Sequence, residues 1–199
     1  MFLLTVAPLA AEIVDRVAVA IGNQVITESE LVHQIRLKAF LEGQKPDVGP
    51  ASKRETAQRL IEQKLVKKEM DLGHYTISEP AEAQQMVDNL KKMHGVGFAQ
   101  QLRANDLTEA DLLDHFEWGL TLSNFIDLRF RPAIQVTAED IEKYFREDVR
   151  SKDKNANLDD IRDKIRQTLT AQRADEQMAA WLKDTLSHTR IDYKDEALQ

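Results

Sequence analysis

The sequence contains no cysteine and little glycine or proline. Its 199 residues include 7 Gly and 5 Pro, and aromatic residues make up only 6%. The absence of cysteine excludes disulfide bonds, thiolate nucleophiles and cysteine-ligated metal sites. The shortage of turn residues argues against an all-β sandwich, which needs a turn roughly every 8–12 residues. Because 42% of the residues are hydrophobic, wholesale disorder is also disfavoured, and we expect a mostly helical protein.

Positive charge is also in deficit. The chain has 27 Lys+Arg against 34 Asp+Glu and a net charge of -7, so no basic field is available to neutralise phosphates, and nucleic acid is not an expected partner. The motifs GxGxxG, GxxxxGK[ST], HExxH and GxSxG are all missing, and these are the patterns that bind dinucleotides, phosphates or zinc or that carry a nucleophilic serine. We therefore expect no cofactor, no metal site and no catalytic residue.

The first eleven residues differ from the rest of the chain. They read MFLLTVAPLAA, an apolar run followed by small residues, and the first charge is Glu12. This pattern is typical of the end of a secretory signal, and it is too short to cross a bilayer, which takes about 20 residues. We predict that residues 1–11 are a signal-peptide remnant, that the protein is periplasmic and that it is not stably inserted in a membrane. The alternative is a hydrophobic N-terminus that packs on the domain.

Hydrophobic periodicity predicts a small hairpin followed by helices. Residues 16–21 and 25–26 are β-capable and flank a turn at residues 22–24, after which Thr27 caps a helix. Further helices are expected to begin near Lys53, Ser78, Phe98, Thr108 and Thr137. The helix that begins near Lys53 is expected to have Leu72 on its inner face. Residues 129–136 are predicted to be extended, because Pro132 disfavours helix at the residue before it.

The segment RSKDKNAN at residues 150–157 is predicted to be a linker. Beyond it, one apolar stripe continues to about Ser187 and predicts a single helix of roughly thirty residues. The stripe consists of Leu158, Ile161, Ile165, Leu169, Gln172, Ala179, Leu182 and Leu186. Residues 189–193 alternate between polar and apolar, which predicts a short terminal strand able to pair with the N-terminal hairpin.

Taken together, several segments resemble the SurA family of periplasmic chaperones. They are Val17–Leu31 (VAVAIGNQVITESEL), Arg59–Val66 with Ile77–Glu79, Val136–Ile141 with Tyr144 and Phe145, and the stretch from Ile161 through Trp181 to Ile191. The resemblance implies a mainly α, multi-helix chaperone domain with a small β-hairpin and a long C-terminal helix packing back on the N-terminal part. Residues 12–149 would form the N-terminal chaperone region, and residues 158–199 would complete the same domain.

The chain departs from this family at residues 150–157. Family members commonly carry one or two parvulin-type prolyl isomerase domains at this position, whereas this chain has only the eight-residue linker. The paired histidines and the glycine-rich turn of a parvulin pocket are missing as well. The resemblance therefore predicts a protein without isomerase activity and, more generally, not an enzyme.

The function that the resemblance implies is that of an ATP-independent holdase. It would bind unfolded polypeptides, above all precursors of outer-membrane β-barrel proteins, through exposed apolar surface. Methionine adapts to irregular surfaces and aromatic rings offer large contact area, so the candidate peptide-binding residues are Met86, Met93, Phe98, Trp118, Phe125 and Phe130. For each of these residues, packing in the core is the alternative interpretation.

Two other functions remain open at this point. One is a dedicated envelope scaffold or adaptor for one partner, and the other is the non-catalytic subunit of a split prolyl isomerase. Self-association is a further expected mode of interaction, which the net charge of -7 would oppose.

Overall fold

The computed structural model describes residues 15–75 and 80–199, and the fold within them is mainly α with a small sheet. The elements in chain order are β1 Val17–Ile21, β2 Gln24–Thr27, α1 Glu28–Leu41, α2 Pro50–Gly73, α3 Pro80–His94, α4 Phe98–Ala104, α5 Glu109–Arg129, α6 Ala138–Tyr144, α7 Leu158–Ser187 and β3 Ile191–Tyr193. A π-turn, Phe145–Val149, follows α6. The predicted signal remnant at residues 1–11 and the predicted Ser78 cap lie outside the described residues.

The sheet joins the two ends of the described chain. Its strand order is β2-β1-β3 and both pairings are antiparallel. The hairpin turn places Gly22 at φ +56°, a conformation that side-chain-bearing residues rarely adopt. β3 pairs with β1 in the register that sets Val19 opposite Tyr193 and Ile21 opposite Ile191. The predicted pairing of a C-terminal strand with the N-terminal hairpin is therefore confirmed.

Local capping sets where several helices begin. The Thr27 hydroxyl accepts a hydrogen bond from the amide of Glu30 at 3.3 Å. Thr108 and Thr137 each form a complete capping box with the aspartate three residues later. These bonds satisfy amides that have no partner within the first helical turn. α2 begins at Pro50, three residues before the predicted start, because proline is well suited to the first helical position.

The interior of the described chain is divided among four apolar clusters. One lies between the sheet, α1, α2 and the end of α7, and a second lies among α1, α3, α4 and α5. The third joins α2, α5 and α7, and the fourth joins α6, the π-turn and the start of α7. α7 contributes side chains to three of the four. The expected packing of the long C-terminal helix on the N-terminal part is therefore confirmed.

The predicted extended segment at residues 129–136 is wrong in its first half. α5 continues to Arg129, and Arg131–Ala133 form a short 3₁₀ turn. Pro132 is accommodated because it lies in the first residues of that turn, where a missing N–H breaks no helical bond.

Three predicted inward positions are also wrong. Leu72 is 70% exposed, since it lies two residues after the buried Met70 and therefore roughly 200° around the helix. On α7, Gln172 and Ala179 are exposed, whereas Ala174 and Met178 are buried. The stripe shifts because the neighbours of this helix change along its length, from α6 to α2 and α5.

Within residues 15–75 and 80–199, no helix combines the length and the hydrophobicity that a bilayer-spanning segment requires.

Candidate functional site

A crevice of about 720 Å³ opens between the C-terminal turns of α2 and the middle of α5. Its lining residues are Lys67, Met70, Asp71, His74, Tyr75, Asp114, Glu117, Trp118 and Thr121. A second crevice of about 270 Å³ shares Lys67, Asp114 and Trp118 with the first and continues to Arg59 and to α1. We call the two together the α2–α5 groove. From Arg59 to the end of α2 it extends about 20 Å, which is the length of roughly six extended residues.

The floor of the first crevice is apolar. Met70 is buried and the half-buried Trp118 packs against the same cluster. Tyr75 contributes a wall, and its ring packs edge-to-face on Phe125 with 5.0 Å between the centroids. Gly73 allows this position, because a Cβ at Gly73 would lie 2.3 Å from the Tyr75 ring. The groove therefore offers aromatic area from Trp118 and Tyr75, with the buried Met70 beneath it.

The rim of this apolar end is acidic. Asp71 of α2 and Asp114 and Glu117 of α5 face it, against the single positive charge of Lys67. The carboxylates of Asp71 and Asp114 are exposed and form no ion pair with any residue in the described part of the chain. A cation that enters this end thus meets the carboxylates of Asp71 and Asp114, which have no charged partner among the described residues.

The other end of the groove is polar, and several of its polar side chains have partners within the protein. His33 Nε2 lies 3.1 Å from Asp111 Oδ1, and Lys64 pairs with Glu30 at 3.1 Å. Burial of the imidazole, together with the nearby Arg59 guanidinium, lowers the pKa of His115. A neutral His115 is therefore favoured at pH 7, and Lys64 at this end is already paired with Glu30.

Arg129 connects the helices beneath the groove. Its Nη1 lies 2.6 Å from a Glu69 carboxylate oxygen and donates to the Tyr75 hydroxyl at 3.3 Å. The guanidinium carbon lies 5.3 Å from the centroid of Trp181 and 5.5 Å from that of Phe130. One side chain of α5 thus holds α2, α7 and the groove wall at Tyr75 together, although its buried Nε has no hydrogen-bond partner among the described atoms.

The structure places the six predicted binding residues in different environments. Trp118 alone among them lines the groove. Met86 and Met93 are 39% and 78% exposed on α3 and line neither crevice. Phe130 is half-buried beside Arg129.

The expected exposure is wrong for the remaining two. Phe98 and Phe125 are each 1% exposed. Phe98 packs with Phe40 between α1 and α4, and Phe125 packs against Tyr75 and Trp181. Both side chains contribute to the folded core, so neither offers surface to a ligand.

Several residues of the groove were not predicted from the sequence. Asp71, Tyr75 and Asp114 lie beside Trp118 only because α2 packs on α5, and the local pattern around each is ordinary. One available signal was the spacing of Asp114 and Trp118, since residues four apart lie on the same face of a helix.

No group of three or more His, Asp or Glu side chains within residues 15–75 and 80–199 is arranged to hold a metal ion. Comparison of the chain with protein-family models and with curated proteins gives no match. The resemblance to the SurA family and the function that it implies therefore stay predictions.

Proposed function

We propose that this protein is an ATP-independent chaperone of the periplasm that holds unfolded polypeptides, including precursors of outer-membrane β-barrel proteins, in the α2–α5 groove. The observation that carries the proposal is the groove itself: a crevice of about 720 Å³ with an apolar floor that opens into a second crevice. The choice of clients and of compartment depends on the resemblance to the SurA family.

The shape and chemistry of the groove suit a transient binder. The half-buried Trp118 offers a large aromatic contact surface, and the rims are polar. A groove about six residues long gathers only part of an unfolded chain, and ordering that segment opposes binding. We therefore expect weak affinity and spontaneous release, without a nucleotide cycle.

The direct test is an aggregation assay. An outer-membrane β-barrel protein unfolded in urea is diluted into buffer, and light scattering is followed with increasing amounts of the chain. We expect the scattering to fall as the chain approaches molar excess. No effect at tenfold molar excess would overturn the proposal.

A groove variant and a matched control locate the activity. Trp118→Ser removes the aromatic floor and is expected to weaken the protection. Leu128→Ser removes a large apolar side chain that is 58% exposed on the same helix but lines neither crevice, so its protection should equal that of the wild type. Urea titrations of both variants separate loss of binding from loss of folding. Equal protection by the two folded variants would place the activity elsewhere on the protein.

The same samples address the two alternatives. A dedicated adaptor would protect none of several unrelated clients and would instead capture one partner at a fixed ratio from an envelope extract. A subunit of a split isomerase would co-purify with a parvulin. Either result, combined with no protection in the scattering assay, would replace the holdase proposal.

A further inference from the structure

We propose that the α2–α5 groove selects segments in which a lysine or arginine lies next to an aromatic or other large apolar residue. This inference rests on the proposed function and deepens it, because it names the chemistry of the client segment. It is carried by the combination of an apolar floor with an acidic rim at the same end of the groove.

The two helices present the same combination from opposite sides. On α2, Asp71 follows directly after the buried Met70. On α5, Asp114 precedes Trp118 by one helical turn. A client side chain inserted between Met70 and Trp118 therefore has carboxylates on both sides of it, so a neighbouring basic residue is favoured and a neighbouring acidic residue is repelled.

The unpaired state of these carboxylates makes the selection effective. Asp71 and Asp114 form no ion pair with any other described residue, so a client cation need not displace a partner from them. At the other end, Glu30 is already paired with Lys64, and Asp111 already has His33 Nε2 at 3.1 Å. Charge selection is therefore expected at the apolar end and not along the whole groove.

Lys67 shows how a cation sits at this end. Its Nζ lies 5.0 Å from the centroid of the Trp118 ring, within the range of a cation–π interaction. A lysine or arginine of the client would take the same place over the ring. Lys67 thus competes with a client cation for the position over the Trp118 ring, and removing Lys67 should strengthen the binding of a basic segment.

The test compares three seven-residue peptides that differ only in charge. They alternate phenylalanine with lysine, with serine or with glutamate, carry a fluorescein label, and are titrated with the full chain while anisotropy is recorded. Exposed ion pairs contribute about 1.5- to 5-fold each to binding. With two unpaired carboxylates we expect the lysine peptide to bind about tenfold more tightly than the serine peptide, and the glutamate peptide to bind most weakly. Raising the salt concentration to 0.5 M should reduce this preference.

Variants separate the groove from the overall charge of the protein. Asp71→Asn/Asp114→Asn should remove most of the preference for lysine while leaving the affinity for the serine peptide unchanged. Asp148→Asn/Asp175→Asn changes the net charge equally at exposed positions outside the groove and should keep the preference. Lys67→Ala should increase the affinity for the lysine peptide two- to fivefold, a gain that damage to the fold would not produce.

The outcomes distinguish this inference from the proposed function. If the serine peptide binds and aggregation is suppressed, but the three peptides bind equally or both double variants behave alike, the charge selection is overturned and the chaperone proposal stands. If no peptide binds and aggregation is not suppressed, both are overturned.

Discussion

Replacing Arg129 is expected to destabilise the protein more than replacing any exposed arginine. Arg129 joins α5 to Glu69 and Tyr75 near the end of α2 and to Trp181 on α7. Along α7, side chains near its start pack in the cluster with α6, and those after Trp181 pack in the cluster beneath the sheet. Loss of the guanidinium therefore weakens the junction through which α2, α5 and α7 are held together.

The magnitude follows from the contacts that are lost. Arg129 and Glu69 have only 27% and 28% of their side chains exposed. An exposed ion pair contributes about 0–1 kcal/mol to stability, and removing one partner of a buried pair costs about 3–5 kcal/mol. We expect the loss of this ion pair to cost an amount between these two ranges. The cation–π contacts add roughly 0.5–1 kcal/mol. We expect Arg129→Ala to lower the free energy of unfolding by about 2–3 kcal/mol. For a chain of this size, that is a decrease in Tm of roughly 4–12 °C.

Arg131 provides the control. It forms an ion pair with Asp127 at 2.9 Å, and both side chains are more than 40% exposed, so Arg131→Ala should cost less than about 0.5 kcal/mol. Urea unfolding followed by circular dichroism measures both variants, and a double-mutant cycle with Glu69→Gln isolates the ion pair. If Arg129→Ala shifts the urea midpoint no more than Arg131→Ala does, the structural role assigned to Arg129 is refuted.

Three further predictions concern capping, acid stability and burial. Thr108→Ala removes the hydroxyl of the α5 capping box and should lower the free energy of unfolding by about 1 kcal/mol. Thr108→Ser keeps a hydroxyl at this position and should retain most of that stability in thermal unfolding. The hydrogen bond from Arg173, and then those from Thr137, lower the pKa of Asp140. The ionised Asp140 carboxylate therefore contributes its full stabilisation above the unfolded-state pKa of about 3.9, and this stabilisation is lost as the pH falls further. In the wild type the urea midpoint should decrease between pH 5 and pH 3, and in Asp140→Asn this decrease should be smaller. Phe98→Ala should lower the free energy of unfolding by about 3–5 kcal/mol. Met93→Ser replaces a side chain that is 78% exposed and should change the free energy of unfolding by less than about 0.5 kcal/mol. Equal effects of the two substitutions would contradict the burial described for Phe98.

The lining of the groove depends on helix packing, which the local sequence pattern of α5 does not specify. α5 contributes apolar side chains to two clusters, but its sequence pattern does not indicate which residues face which neighbour. Trp118 and Phe125 are both aromatic and both lie on α5, yet one lines the groove and the other is 1% exposed. The difference arises from the positions of Tyr75, which lies just after α2, and of Trp181 on α7.

Features of this protein that depend on residues close together in the chain could be predicted from the sequence. The starts of α1, α5 and α6 follow from hydroxyls that accept hydrogen bonds from amides three residues later, and the period of two in residues 189–193 was enough to predict β3. Which apolar side chains are covered, and the position of Asp71 across from Asp114 and Trp118, became visible only in the folded chain. Those outcomes depend on how whole helices pack, which is the sum of many weak contacts between residues far apart in the chain, and no single local pattern encodes that sum.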